Sequence, residues 1–241
     1  MDSIEVSSSG SKSGVGVLDK AVAILAFLSE DGPASLSEVV GGTGLSRPTA
    51  HRLLSALEAH HLVSRRDGRY VLGLRLLGWG HRAAGVGLVE RARPVLEGLR
   101  DESGESTQLY VRECEQRVCV ASVERVTGLR DTVPVGAVMP LERGSAGKVL
   151  LAWAPGGVDG RPDAAQLRGI RVRGWAESVA EREAGVASVS APVFGEDGRL
   201  RAAVSVSGPI SRLGESPGQR LSHLVVEAAS EIESTSGEAS P

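Results

Sequence analysis

The chain has 241 residues, enough for one large domain or two modest ones, and 41% apolar with 24% charged residues is an ordinary globular composition. A formal net charge of −3 gives no global sign of a polyanion partner, and with aromatics at 3% the cores have to be built from Leu, Val and Ala. The two cysteines, Cys114 and Cys119, cannot make a zinc site unaided and suit a reducing compartment better than a disulfide scaffold. No apolar run approaches the roughly 20 residues that span a bilayer. The opening "MDSIEVSSSGSKSG" lacks the basic-then-apolar pattern of a secretory signal. A cytoplasmic protein with no membrane partner, metal or cofactor is expected, with disordered tails at residues 1–14 and 234–241.

In chain order, Leu18, Ala21, Val22, Leu25 and Leu28 recur at spacings of three and four, an apolar helical stripe that "DGP" at 31–33 ends. "SLSE" at 35–38 sets a serine three residues before a glutamate, the capping-box signature of a second helix, which Gly41 and Gly42 keep short. "TGL" at 43–45 supplies a tight turn, and Ser46 stands ready to cap a third helix with Pro48 in its first turn. Ala50, Leu53, Leu54 and Leu57 form that helix's buried side. The opposite side carries Pro48, His51, Arg52 and Ser55, with Arg47 and Thr49 at its margins and a single acid, Glu58, at the far end. Two helices joined by a short glycine-containing turn are the helix-turn-helix plan, whose second helix enters the major groove N-terminal end first.

Val63 to Arg66 and Arg69 to Leu72 then read as two short strands around Asp67-Gly68, a strong two-residue hairpin signal. Arg65, Arg66 and Arg69 flank that turn. Between Gly44 and Tyr70 there are five arginines against two acids, so the weak overall charge hides a basic patch on a small module. A winged helix-turn-helix DNA-binding domain is expected at 15–74, with Ser46, Arg47, Thr49, His51, Arg52, Ser55, Arg65, Arg66 and Arg69 meeting base edges or phosphates. A winged helix can also serve as a protein-interaction module, and that alternative stays open on the residues alone.

A linker helix is expected at 75–87, with glycines at 78, 80, 85 and 87 loosening it, and an effector-sized domain at 88–233. Val89, Ala92, Leu96 and Leu99 give that domain an opening helix near 88–102. Beyond Gly104 the period becomes two. "TQLYVREC" and "RVCVASVE" make a hairpin turning near Glu115-Gln116, with the cysteines on opposite strands and serving packing. "LRDTVPVGAVMPL" gives further extended pieces, "SAGKVLLAW" a helix, "GVASVSAPVF" and "LRAAVSVSGPI" alternating strands, and "GQRLSHLVVEAASEIE" a closing amphipathic helix. The fold class expected is α+β, with a mostly antiparallel sheet bracketed by helices.

Catalytic motifs are wanting in this half. "ERGSAGKV" is no phosphate-binding loop, because Glu142 stands where the first glycine belongs and Val149 where Ser or Thr should follow the lysine. "AVSVSGP" lacks the leading glycine of a nucleophile elbow. His223 is the only histidine beyond residue 81. An enzyme in the second domain is therefore a weak alternative. The segment offers small hydroxyls instead: Ser205 and Ser207 on one strand face with Ala203, Ser188 and Ser190 on the neighbouring strand, and Ser145 at a helix start where N–H groups favour an anion. They either floor a binding site or belong to a close-packed sheet whose serines bond their own backbone.

Taken together and in order, "TGLSRPTAHRLLSALEAHHLV", "GRYVLGLRLL", "GESTQLYV", "GSAGKVLLA", "RGWAESVAEREAGVASVSAPV" and "AAVSVSGPISR" resemble the IclR family of bacterial transcription regulators, over roughly residues 15–233. "GVGVLDKA" and "GLRDTVPVG" are similar to an actinobacterial subgroup tied to amino-acid metabolism. The resemblance implies a GAF-like C-terminal effector domain and dimers that pair into tetramers on double-stranded operator DNA carrying an inverted repeat. It also implies a small organic acid or amino-acid-related effector. By motif, the effector-binding positions are Ser145, Ala146, Ser178, Ser188, Ser205 and Ser207, with Ser178 aligned to a position that is acidic in some members. The stretch 153–172 is shorter than is usual in the family, which bears on one pocket wall and on an assembly contact.

Overall fold

A computed structural model gives the fold, and it describes residues 13–83, 87–154 and 156–234. The expected tails lie outside the described residues except for positions 13, 14 and 234, and so does the part of the linker at 84–86. The chain divides into two compact units, one ending at Ala83 and the other following it.

The first unit contains α1 (Gly16–Glu30), α2 (Leu36–Thr43), α3 (Arg47–Ala59), the hairpin β1 (Val63–Arg66) and β2 (Arg69–Leu72), and α4 (Arg75–Ala83). The capping box that starts α2 is complete: the Glu38 N–H donates to the Ser35 hydroxyl at 3.3 Å, and the Ser35 N–H donates to the Glu38 carboxylate at 2.7 Å. Gly44 ends α2 in the left-handed region at φ 67°. Helices α1 and α2 approach closely at Gly42, where a Cβ would lie 2.1 Å from the Phe27 ring. Asp67 and Gly68 both take positive φ, as a hairpin turn of two residues requires. Ala34 and Tyr70 exchange backbone hydrogen bonds of 2.9 and 2.7 Å, fastening the α1–α2 connection to the hairpin.

The core of this unit joins Ile24, Leu28, Val39, Leu53, Leu54, Leu57, Val63 and Tyr70. The stripe expected on α1 is displaced. Ile24 and Leu28 are buried and Ala21 and Leu25 pack beside them, whereas Leu18 and Val22 are 52% and 54% exposed. The spacing admits two adjoining apolar faces a fraction of a turn apart, and the core takes the one centred on Ile24 and Leu28.

The second unit opens with α5 (Leu88–Ser103), followed by β3 (Ser106–Glu113), β4 (Gln116–Val123) and β5 (Val138–Pro140). Helices α6 (Ser145–Ala152) and α7 (Ala164–Arg173) come next, then β6 (Ala176–Val179), β7 (Val186–Phe194), β8 (Leu200–Pro209), the short α8 (Ile210–Leu213) and α9 (Gly218–Ser234). The six strands form one antiparallel sheet in the order β5-β4-β3-β8-β7-β6. One face packs on α5 and α9 through Leu96, Leu99, Val189, Val204, Val206, Leu221 and Val225. The other packs on α6 and α7 through Tyr110, Cys119, Leu141, Val149, Leu150, Leu167 and Ile170.

Several expectations need correction here. Of "LRDTVPVGAVMPL", only residues 138–140 form a strand, since Pro134 and Gly136 interrupt the rest. Cys114 lies in the β3–β4 turn with a positive φ of 53°, exposed, and not on a strand; Gln116 already pairs with Glu113. Cys119 is buried, and burial pushes its thiol up to about 12, so it packs as a small apolar group. The shortened stretch 153–172 contains most of α7, whose Leu167 and Ile170 reach the core.

Candidate functional site

In the first unit the surface of interest is the start and outer side of α3. The four residues Ala50, Leu53, Leu54 and Leu57 are its buried set. Packing on that side fixes the rotation of the helix, so Arg47, His51, Arg52 and Ser55 are exposed and Thr49 half-buried. Ser46 takes the N-cap position with extended backbone, but its hydroxyl bonds the Thr49 hydroxyl at 2.8 Å and no backbone N–H. Pro48 has no N–H to offer, and Thr49 brings a hydroxyl to the one remaining donor position. Arg47 donates to the Ser37 hydroxyl at 3.2 Å, which ties the start of α3 to α2.

The wing arginines differ in what holds them. Arg65 lies 4.6 Å from the Tyr70 ring centre, donates to its hydroxyl at 2.7 Å and approaches Glu58 at 3.4 Å. Arg69 donates to the Pro33 carbonyl at 3.0 and 2.8 Å and to the Glu38 carboxylate at 2.9 Å. Arg66 is exposed and has no such partner among the described residues. Hydrogen bonds from the Ser35 hydroxyl, then from the Ser35 N–H and from Arg69, hold the Glu38 carboxyl down from 4.5 to about 2.

In the second unit the strand registers align the small hydroxyls into two rows across the sheet face beneath α6. Ser106, Ser207, Ser188 and Ser178 form one row, and Gln108, Ser205, Ser190 and Ala176 the next. The Ser145 hydroxyl, at the start of α6, meets those of Ser188 and Ser190, each at 2.7 Å. Ser190 in turn donates to Ser205 at 2.9 Å, and Ser207 donates to the Gln108 side-chain carbonyl at 3.0 Å. These hydroxyls therefore bond one another and a glutamine across elements, not their own backbone. Gly147 lets α6 sit this close: a Cβ there would lie 2.1 Å from the Leu141 carbonyl oxygen and 2.8 Å from the Arg117 guanidinium.

Above the serine floor is a small cavity lined by Ser145, Ala146, Ser188, Ser205 and Ser207 together with Tyr110, Arg117, Asp131, Gly144 and Arg182. Five of the six expected positions thus converge. Ser178 is buried beside Ser188 in the ladder but does not line the cavity. Sequence reasoning missed the charged walls. Arg117 is 3% exposed, donates to the carbonyls of Pro140 and Arg143, and stands 5.5 Å over the Tyr110 ring. Burial lowers its pKa from that of a free guanidinium and raises that of the Tyr110 phenol. Arg182 donates to Asp131 at 2.5 Å. Buried Lys148 pairs with Glu181, whose other oxygen accepts from the Gly144 N–H at 3.2 Å. Among the described residues Arg117 Nε, Gln108 Nε2 and Asp131 Oδ2 are buried without a hydrogen-bond partner. Two guanidinium groups over a hydroxyl floor are suited to a carboxylate.

The family model "IclR helix-turn-helix domain" matches residues 17–67, and "Bacterial transcriptional regulator IclR C-terminal" matches 81–158 and 164–234. The chain belongs to the IclR family. Like the other members of that family, it is a DNA-binding transcriptional regulator and not an enzyme. The glycerol operon regulatory protein of Streptomyces griseus is 33% identical over 217 residues, which is 81% of this chain and 85% of that protein. The crystal structure of the Thermotoga maritima IclR aligns with a TM-score of 0.71 at 26% identity, covering 92% of this chain and 99% of that one. An IclR homolog from Microbacterium hydrocarbonoxydans, complexed with 4-hydroxybenzoate, shares the fold with a TM-score of 0.73 at 23% identity over 91% of this chain and 98% of its own.

Proposed function

We propose that this IclR-family regulator reads an inverted-repeat operator as a symmetric homodimer, two dimers pairing into a tetramer on DNA, and that a small organic acid or amino-acid-related compound bound at the serine floor modulates its affinity. The observation that carries the DNA reading is the exposed start of α3. Arg47, His51 and Arg52 project from a helix whose rotation is fixed by four buried apolar residues. Ser46, Thr49 and Ser55 complete the polar face offered to the groove, and Arg65, Arg66 and Arg69 supply cations beside it. The exposed apolar positions Val17, Leu18 and Val22 of α1, with Leu77 and Trp79 of α4, support a homodimer. The site for the small molecule rests on Ser145, Ala146, Ser188, Ser205 and Ser207 with the arginines above them, and Ser178 at its margin.

The protein acts where DNA is, and among the described residues no helix is long and apolar enough to cross a membrane. An effector alters DNA affinity only by as much as it binds one state of the protein better than the other. Footprinting on the DNA upstream of its own gene tests the reading: protection should cover two half-sites about one helical turn apart or a multiple of that. Ser205→Val should blunt the response to the metabolite and leave DNA affinity in its absence unchanged. Absence of any protected bases with folded protein in excess overturns the assignment of α3 as a DNA reader.

A further inference from the structure

The cavity over the serine floor is narrowed by the protein's own charged side chains. It offers about 20 Å³ to the centre of a water molecule, room for about one water and too little for a small organic acid. Something lining it has to leave before a ligand enters. Asp131 is the group placed to do so. It comes from the segment between β4 and β5, where residues 126–130, 132 and 134–136 are exposed and only Asp131 and Val133 are buried. Its Oδ1 accepts from Arg182 Nη2 at 2.5 Å, while its Oδ2 is buried with no partner among the described residues. Arg182 belongs to the β6–β7 turn, lines the cavity with Tyr110 and Arg117, and among the described residues has one further ion-pair partner, Glu183, at 3.9 Å. Burial opposes the charge on Arg182, and Asp131, with Tyr110 and Glu183 adding to it, more than offsets that.

A single-point contact that leaves one carboxylate oxygen unmet in a buried site is costly to keep. A ligand carboxylate able to meet a guanidinium with both oxygens gains more from it and lets Asp131 return to water. We propose, on the footing of the effector site described above, that Asp131 is an internal surrogate for the effector's carboxylate. It occupies Arg182 until a small-molecule carboxylate takes its place, and segment 126–136 then leaves the cavity mouth. The apparent affinity for ligand falls by the fraction of molecules in which Arg182 is free, so a pair closed in about nine molecules of ten weakens binding about tenfold.

The test uses the full chain in its native form and as Asp131→Asn, Asp131→Ala and Arg182→Gln, with thermal melts confirming that each is folded. Acetate, benzoate and 4-hydroxybenzoate are titrated by calorimetry, with benzamide as the uncharged counterpart. Hydrogen exchange of residues 126–136 is followed in parallel. Both Asp131 variants should bind at least one carboxylate about tenfold more tightly than the native chain and gain nothing for benzamide, and Arg182→Gln should lose carboxylate binding. Exchange in 126–136 should rise when the native chain takes up carboxylate and be high in Asp131→Ala from the outset. Equal or weaker carboxylate binding by the Asp131 variants, or binding to the native chain without a change in exchange, overturns the surrogate and leaves the effector site standing. If no carboxylate binds any of the four proteins, the surrogate and the effector site fall together.

Discussion

Of the three wing arginines, Arg66 alone leaves its guanidinium without a partner among the described residues, while Arg69 is engaged by the Pro33 carbonyl and Glu38 and Arg65 by Tyr70 and Glu58. A DNA phosphate approaching Arg69 competes with a carboxylate already in place; one approaching Arg66 competes only with water. Arg66→Ala should therefore weaken binding to all sequences alike and flatten the dependence of log affinity on log salt by about one. Arg69→Ala should mainly lower the melting temperature of the first unit. Arg52→Ala should behave differently again, costing about 1–3 kcal/mol at one base pair if Arg52 reads a guanine. Fluorescence anisotropy against salt, with melts alongside, separates the three. An Arg69→Ala chain with unchanged melting and the full change of slope would show that Arg69 is a phosphate contact. The residue types on α3 and the wing are legible in the sequence, because exposure follows from the helical period. Which arginine is spoken for is not, since Pro33 and Glu38 lie more than thirty positions away from Arg69.

At the level of elements, the start of α2 is also the anchor of the wing. Glu38 closes the capping box on Ser35 and receives Arg69 of β2, so one carboxylate serves both contacts. Its pKa in the folded chain is about 2 against an ordinary 4.5. A lowered carboxylate pKa gives stability that is fully present above the unfolded value and disappears as pH falls through the folded one. The melting difference between the native chain and Glu38→Gln should accordingly be constant from neutral pH to about 4.5 and vanish on acidification toward 2. A difference that persists below pH 2 would assign the effect to packing and not to the charge. The cap, the Asp67-Gly68 turn and the long strands β7 and β8 are readable from local pattern. Strand β6 and helix α7 are harder: four residues at a sheet edge, and a helix among glycines whose Val172 is exposed, carry little periodic signal.

For the whole molecule, the exposed apolar positions of α1 are the feature a monomer does not use. If the proposed homodimer forms through α1, Leu18→Glu with Val22→Glu should shift the sedimentation of the chain toward monomer at micromolar concentration. It should also weaken binding to a two-half-site operator more than to a single half-site, because only the former gains from linked reading heads. A double variant that still sediments as a dimer would remove α1 from the interface.

What the sequence determined by itself is the reader: caps, a glycine turn, a 3.6-residue period and a two-residue hairpin are local signals, and each specifies its element within a few positions of chain. It also set the hydroxyl floor, because alternation along β7 and β8 puts Ser188, Ser190, Ser205 and Ser207 on one face. The inward parity of Arg117 with Cys119 was there to be read as well. Only the tertiary structure decided that Arg182, from the β6–β7 turn, meets Asp131, fifty-one residues earlier in an irregular segment. No periodicity links two loops; they are brought together by the order in which the strands pair.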